Sequence, residues 1–251
     1  MNRFEFFATI ERYHTFQNPT SEEKLDLAMA YCAIRNGMQI LDVGCGKGWL
    51  LRRLAKRFDV RITGLEISPF FAAEARRLAA AESLADRIRI VEGPALDFHA
   101  PPASFDVVTC IGASFALGGF EPALDWMARH AKRGGTIAIG EVFAKVLPLP
   151  DDLPPNRGYE ARSLWTTVET MRAHGLMPRG IVESSRDDWN RYHSLHWQAA
   201  LDWAQENPQS PDAAGLNSPA GQRCDLEFDG RAIGWAILVA RNGQGDAHVR
   251  S

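Results

Sequence analysis

The sequence predicts an α/β fold: a mostly parallel sheet with helices on both faces. Three observations carry this. Short apolar runs alternate with stretches of helical periodicity along most of the chain, the pattern of strand–helix–strand units. The apolar run Ile40-Leu41-Asp42-Val43 feeds a glycine-rich turn, Gly44-Cys45-Gly46-Lys47-Gly48, which opens directly into helical spacing at Trp49-Leu50-Leu51-Arg52-Arg53-Leu54-Ala55. At 251 residues the chain fits one α/β unit.

Taken in order, residues 4–13 read as a short amphipathic helix that Asn18-Pro19 separates from the next. Thr20 followed by Glu23 forms a capping box, so the second helix is expected from Ser21 to about Arg35. After the first strand and its helix come a strand at 60–66 and a helix capped by Ser68 with Pro69 in its first turn. Strands follow at 88–92 and 105–111, then a helix near 122–132 and a strand at 136–143. Prolines between Leu147 and Asn156 break regular structure and mark a surface loop. A helix over 161–174 is stopped by Gly175 and leads to a strand at 180–184. Residues 188–206 are helical, 207–230 a polar, turn-rich excursion, and 232–240 a last apolar strand.

Composition excludes several classes. A formal net charge of −3 with dispersed basic residues gives no footprint for nucleic acid. Cys32, Cys45, Cys110 and Cys224 form no CxxC pair, which argues against a zinc site and a disulfide framework and makes a reducing cytosol the simplest compartment. The N-terminal residues carry acid among their apolar side chains, without a signal-peptide core, and no apolar run is long enough to span a bilayer. The expectation is a soluble, cytoplasmic protein with no membrane partner.

The glycine turn is the richest signal. Gly44 and Gly46 lack the Cβ that keeps a ligand off the backbone and tolerate positive φ. In the dinucleotide fingerprint Gly-x-Gly-x-x-Gly the third glycine falls one residue later than Gly48, and a pyrophosphate sits poorly beside the acidic Asp42. At the end of the next strand Glu66 stands where a ribose diol needs an acceptor for two hydroxyls.

Together these segments resemble class I S-adenosylmethionine-dependent methyltransferases. Asp42–Gly48 is similar to the family's first motif, Gly64-Leu65-Glu66-Ile67-Ser68 to its ribose-binding strand end, 105–111 to its fourth strand, and 133–141 to the turn into its fifth. The leader Tyr13-His14-Thr15-Phe16-Gln17-Asn18-Pro19 resembles that of small single-domain bacterial members of unassigned substrate. One departure stands out: where many members have Gly-Asp-Ala at the adenine, this chain has Gly93-Pro94-Ala95-Leu96-Asp97, so that acidic contact is missing or has moved to Asp97.

The resemblance implies a Rossmann-like seven-stranded sheet, mostly parallel with an antiparallel last strand. It implies one domain over 1–251, with a helical lid at 1–36, a cofactor-binding core at 37–145 and substrate-side insertions with the closing strands at 146–251. S-adenosyl-L-methionine is the implied cofactor and S-adenosyl-L-homocysteine the product. The reaction is in-line displacement of the sulfonium methyl, onto a small-molecule acceptor in preference to protein or RNA; a non-catalytic adenosylmethionine-binding module is the reading from another class. Implied cofactor contacts are Tyr13 in the leader, Asp42, Gly44, Cys45 and Gly46 in the turn, Glu66 at the ribose, Ile67, Ala95 and Leu96 along the adenine, and Ile111 with Gly112 beside the sulfonium.

Catalytic candidates are His14, Glu141 at the carboxyl end of the fifth strand, and His193. Trp189, His193, His196 and Trp197 share one helical face, which reads either as ordinary core or as an aromatic wall for a substrate. His193 and His196 lie at i and i+3 without a third neighbouring ligand, so no metal is expected. His174 before Gly175 reads as a helix C-terminal cap, and Cys45 and Cys110 either line the site or pack inertly.

Overall fold

In a computed structural model, which describes residues 1–153, 162–216 and 218–243, the strand β1 (Gln39–Val43) lies inside a seven-stranded sheet. Ile40, Leu41 and Val43 are each at most 1 % exposed, so both faces of β1 are covered. The other strands are β2 (Arg61–Glu66), β3 (Ile88–Glu92), β4 (Phe105–Ile111), β5 (Ala131–Ala144), β6 (Leu176–Glu183) and β7 (Ile233–Asn242). Their spatial order is β3-β2-β1-β4-β5-β7-β6. The first five run parallel, and β7 is antiparallel to both its neighbours. The expected architecture is therefore the observed one, an α/β sheet with an antiparallel last strand.

Helices cover each face. On one, α2 (Glu22–Tyr31) and α3 (Trp49–Arg57) bury Leu25, Met29, Leu51 and Leu54 against Ile40, Ile62 and Val107. On the other, α5 (Phe120–His130) and α6 (Leu164–Ala173) bury Leu124, Met127 and Met171 against Leu41, Val108 and Ile137. Truncating a fully buried leucine such as Leu41 to alanine costs about 2–5 kcal/mol. The remaining helices are α1 (Arg3–Ile10), α4 (Pro69–Ala81), α7 (Arg186–Glu206), α8 (Ala213–Leu216) and α9 (Pro219–Glu227). No described helix is long and apolar enough to cross a membrane.

Several boundaries differ from the sequence expectation, each for a local reason. α2 is capped by Ser21, whose hydroxyl accepts the Lys24 N–H, and Thr20 is instead buried at 1 % exposure. It ends at Tyr31 because Ala33 takes a positive φ of 52°. α1 stops at Ile10, and α7 starts two residues early because Ser185 forms a capping box with Asp188. β6 starts directly after Gly175, which has φ 74°. The excursion at 207–230 is not all turn: Ser218 caps α9, with Pro219 in its first turn. Positions 154–156 of the expected loop and position 161 of the expected helix lie outside the described residues.

The strand order reverses between β1 and β4. In open α/β sheets that reversal leaves a crevice at the carboxyl ends of the strands, the place where ligands bind.

Candidate active site

A cavity of about 820 Å³ occupies that crevice. The turn after β1 supplies Gly44 and Gly46, the end of β2 supplies Glu66 and Ile67, and the turn after β3 supplies Gly93, Pro94 and Ala95. From the end of β4 come Ile111, Gly112 and Ala113. The N-terminal segment closes over these: Phe4, Phe7 and Glu11 face inward, followed by Gln17 and Asn18.

The glycine turn is fixed by its backbone. Gly44, Gly46 and Gly48 have φ of 68°, 53° and 70°, in the left-handed region that side chains resist. The N–H groups of Gly44 and Cys45 both donate to the Leu65 carbonyl, which stitches the turn to β2. A Cβ on Gly44 would stand 2.4 Å from that of Ala113. On Gly46 and Gly112 it would meet the side-chain amides of Gln17 and Asn18 at 2.3 and 2.1 Å. The leader therefore rests against the two glycines at the floor of the cavity.

Glu66 is 6 % exposed. One carboxylate oxygen accepts the Gly46 N–H at 2.8 Å and the other the Ser68 N–H at 2.8 Å. Burial raises its pKa, against the opposing effect of those hydrogen bonds. A carboxylate offers about four lone-pair sites, so each oxygen keeps an accepting position for a ligand hydroxyl.

Seven expected contacts line the cavity: Gly44, Gly46, Glu66, Ile67, Ala95, Ile111 and Gly112. The others lie elsewhere. Asp42 is buried beneath the turn, where the Thr109 hydroxyl donates to it at 2.5 Å and burial pushes its pKa up to about 7. It ties β1 to β4. Cys45 points under the turn toward Leu51 and Gly64, and burial drives its thiol well up. Leu96 is 57 % exposed in a single 3-10 turn, with Asp97 exposed beside it. Tyr13 is turned outward, and its hydroxyl donates to Asp202 of α7 at 2.8 Å.

The catalytic candidates are also off the cavity wall. His14 is 2 % exposed, and burial lowers its pKa to about 4. Its Nε2 is 3.0 Å from the Tyr192 carbonyl oxygen. Glu141 accepts hydrogen bonds from the Ser114 hydroxyl and the Val142 N–H. His193 stacks on Trp189 and is held between Asp225 and Asp229. The residue that α7 presents to the cavity is the preceding one, Tyr192, about 100° round the helix from His193.

Sequence reasoning missed the lining residues of the leader and Tyr192. A signal for the leader was present, since Phe4, Phe7 and Glu11 recur at i, i+3 and i+7 on one helical face. Lys47 fastens this leader to the glycine turn: its ammonium donates to the carbonyls of Glu11, Arg12 and His14 at 2.6, 3.2 and 2.9 Å.

Comparison with known proteins agrees with this geometry. The profile of the Methyltransferase domain family matches residues 40–135. The uncharacterized protein YjhP of Escherichia coli is 27 % identical over 243 residues, which cover 94 % of this chain and 98 % of YjhP. Its crystal structure superposes with a TM-score of 0.86. A SAM-dependent methyltransferase of Thiobacillus denitrificans, solved with S-adenosyl-L-homocysteine, is 26 % identical with a TM-score of 0.86, covering 96 % of this chain and 98 % of that one. The 27-O-demethylrifamycin SV methyltransferase of Amycolatopsis mediterranei is 27 % identical, over 83 % of this chain and 78 % of that protein.

Proposed function

Because this chain is a class I S-adenosylmethionine-dependent methyltransferase, we propose that its methyl acceptor is a small molecule that enters the cavity beneath the N-terminal leader. The cavity itself carries the reading. Its lining beyond the glycine turn includes five aromatic residues, Phe4, Phe7, Phe71, Phe115 and Tyr192, and the leader helix lies across it. Such a space suits a compact, partly apolar acceptor better than an extended polymer. A net charge of −3 and a relative whose name gives 27-O-demethylrifamycin SV as its substrate point the same way. The free thiols fit a reducing, cytosolic setting.

The cofactor fits the residues present. Gly44, Gly46 and Gly112 line the cavity beside Gln17 and Asn18, and Glu66 offers the acceptor that a ribose diol needs. Ile67 and Ala95 take the adenine, and Ile111 with Gly112 border the reacting end. The amides of Gln17 and Asn18, each both donor and acceptor, take the polar amino-acid tail. When bound, S-adenosylmethionine supplies a methyl group already activated by its sulfonium. What remains for the protein is to align the acceptor and exclude water, and alignment contributes up to about 7–11 kcal/mol in favourable cases. Residues 1–36 then act as the lid, 37–145 as the cofactor core, and 146–251 as the acceptor side, all within one domain.

Transfer of label from methyl-tritiated S-adenosylmethionine into separated fractions of a cell extract tests the reading. Label in the small-molecule fraction supports it. Label confined to protein or RNA overturns it.

A further inference from the structure

Spacing in α7 leaves His193 and His196 without a third neighbouring ligand, but the fold brings two ligands from the leader to His196. The Glu11 carboxylate lies with one oxygen 2.8 Å from His196 Nε2 and the other 3.1 Å from His14 Nδ1. All three ligand atoms fall within 4.8 Å of one another. Glu11 and His14 are 4 % and 2 % exposed. We propose that Glu11, His14 and His196 form a divalent-metal site behind the cavity wall, which Glu11 alone of the three lines, for a first-row ion of the zinc, cobalt or iron(II) kind.

The tautomer of His14 supports this. The Tyr192 carbonyl oxygen, 3.0 Å from Nε2, is an acceptor only, so Nε2 carries the proton. On a neutral ring Nδ1 then presents a lone pair to the Glu11 oxygen. Neither of those two buried atoms has a hydrogen-bond partner, although they stand side by side. Two acceptors facing each other in a buried place are stabilised by a cation between them. A ring N–H donated to a backbone carbonyl is also how metal-bound histidines are usually oriented.

The spacing fits as well. Ligands about 2.0–2.2 Å from an ion stand about 3–3.6 Å apart at angles of about 90–110°, and the two Glu11 oxygens lie 3.1 and 2.8 Å from the ring nitrogens of His14 and His196. Two imidazoles and a carboxylate match the preferences of the later first-row divalent ions. Glu11 lines the cavity, so an ion here would have open positions toward it and an affinity for an oxygen-bearing acceptor, such as a phenol or a carboxylate. That consequence for the acceptor rests on the methyl-transfer reading; the metal site itself does not.

Cobalt(II) and zinc(II) titrations of untagged, chelator-stripped full-length protein, read by visible absorption and calorimetry without adenosyl cofactor, test the proposal. The expected result is one ion per chain. Glu11→Gln and His196→Gln, which keep hydrogen-bonding side chains of similar shape, should each weaken binding about tenfold or more, with thermal melts confirming that they fold. His193→Gln, in the separate cluster with Asp225 and Asp229, should bind the ion as the parent does. No binding by the parent protein overturns the site. Equal binding by the parent and both Gln variants at 11 and 196, or loss only in His193→Gln, also overturns it.

Discussion

Glu66, at the end of β2, accepts the N–H of Gly46 in the turn after β1 at 2.8 Å. The same side chain therefore holds the glycine turn in shape and stands on the cavity wall with acceptor positions in reserve. Glu66→Gln replaces one acceptor oxygen by an amide donor, which faces the N–H of either Gly46 or Ser68. S-adenosylhomocysteine binding should weaken by about 1.5–3 kcal/mol, on the scale of hydrogen bonds to charged groups. Unchanged affinity by calorimetry would remove Glu66 from the site.

Gly44→Ala should destabilise the fold and the cradle together. The φ of 68° costs about 1–2 kcal/mol for a side chain, and the new Cβ would collide with Ala113 at 2.4 Å. Gly37 also has a positive φ, of 84°, but a Cβ there meets nothing within 4 Å. Gly37→Ala should cost only the backbone term and leave cofactor affinity intact. Comparable affinities for the two variants would contradict this account of the turn.

Asp42 makes stability depend on pH. Its folded pKa is raised by burial from the ordinary 3.8 to about 7, so its contribution is full below about pH 4 and is lost as pH rises toward 7. Asp42→Asn keeps an oxygen to accept the Thr109 hydroxyl and removes the buried charge. It should be more stable than the parent by about 1–3 kcal/mol at pH 8, with the gap closing as pH falls to about 4. Melting curves across that range check the sign. A parent protein more stable than Asp42→Asn at pH 8 would refute it.

Lys47→Met should loosen the leader. Three carbonyls of residues 11–14 lose their ammonium donor, with each such hydrogen bond worth about 1.5–3 kcal/mol. Amide hydrogen exchange across residues 3–14 should accelerate while the core strands stay protected. Unaltered exchange there would mean that packing alone holds the leader.

The sheet was legible because its signals are local. The strands at 88–92 and 105–111 were read with both ends correct, since each is an apolar run between turn residues. The cap of α2 was not: Thr20 and Ser21 are adjacent hydroxyls, and only tertiary burial of Thr20 chose between them. The site divides the same way. Gly44, Gly46 and Glu66 announce themselves through the chemistry of one turn and one strand end. The pairing of Glu11 with His196 spans 185 residues, and nothing near either position in the sequence signals it. His193 illustrates the converse, since a shared helical face says which residues are neighbours and not which of them meets the cavity.

Calorimetric titration of the parent protein and Glu66→Ala with S-adenosylmethionine, S-adenosylhomocysteine and NADH is the most direct test of the cofactor site. The parent should bind both adenosyl ligands and not NADH, and a folded Glu66→Ala should lose that binding. A well-folded parent protein that binds neither adenosyl ligand would contradict it.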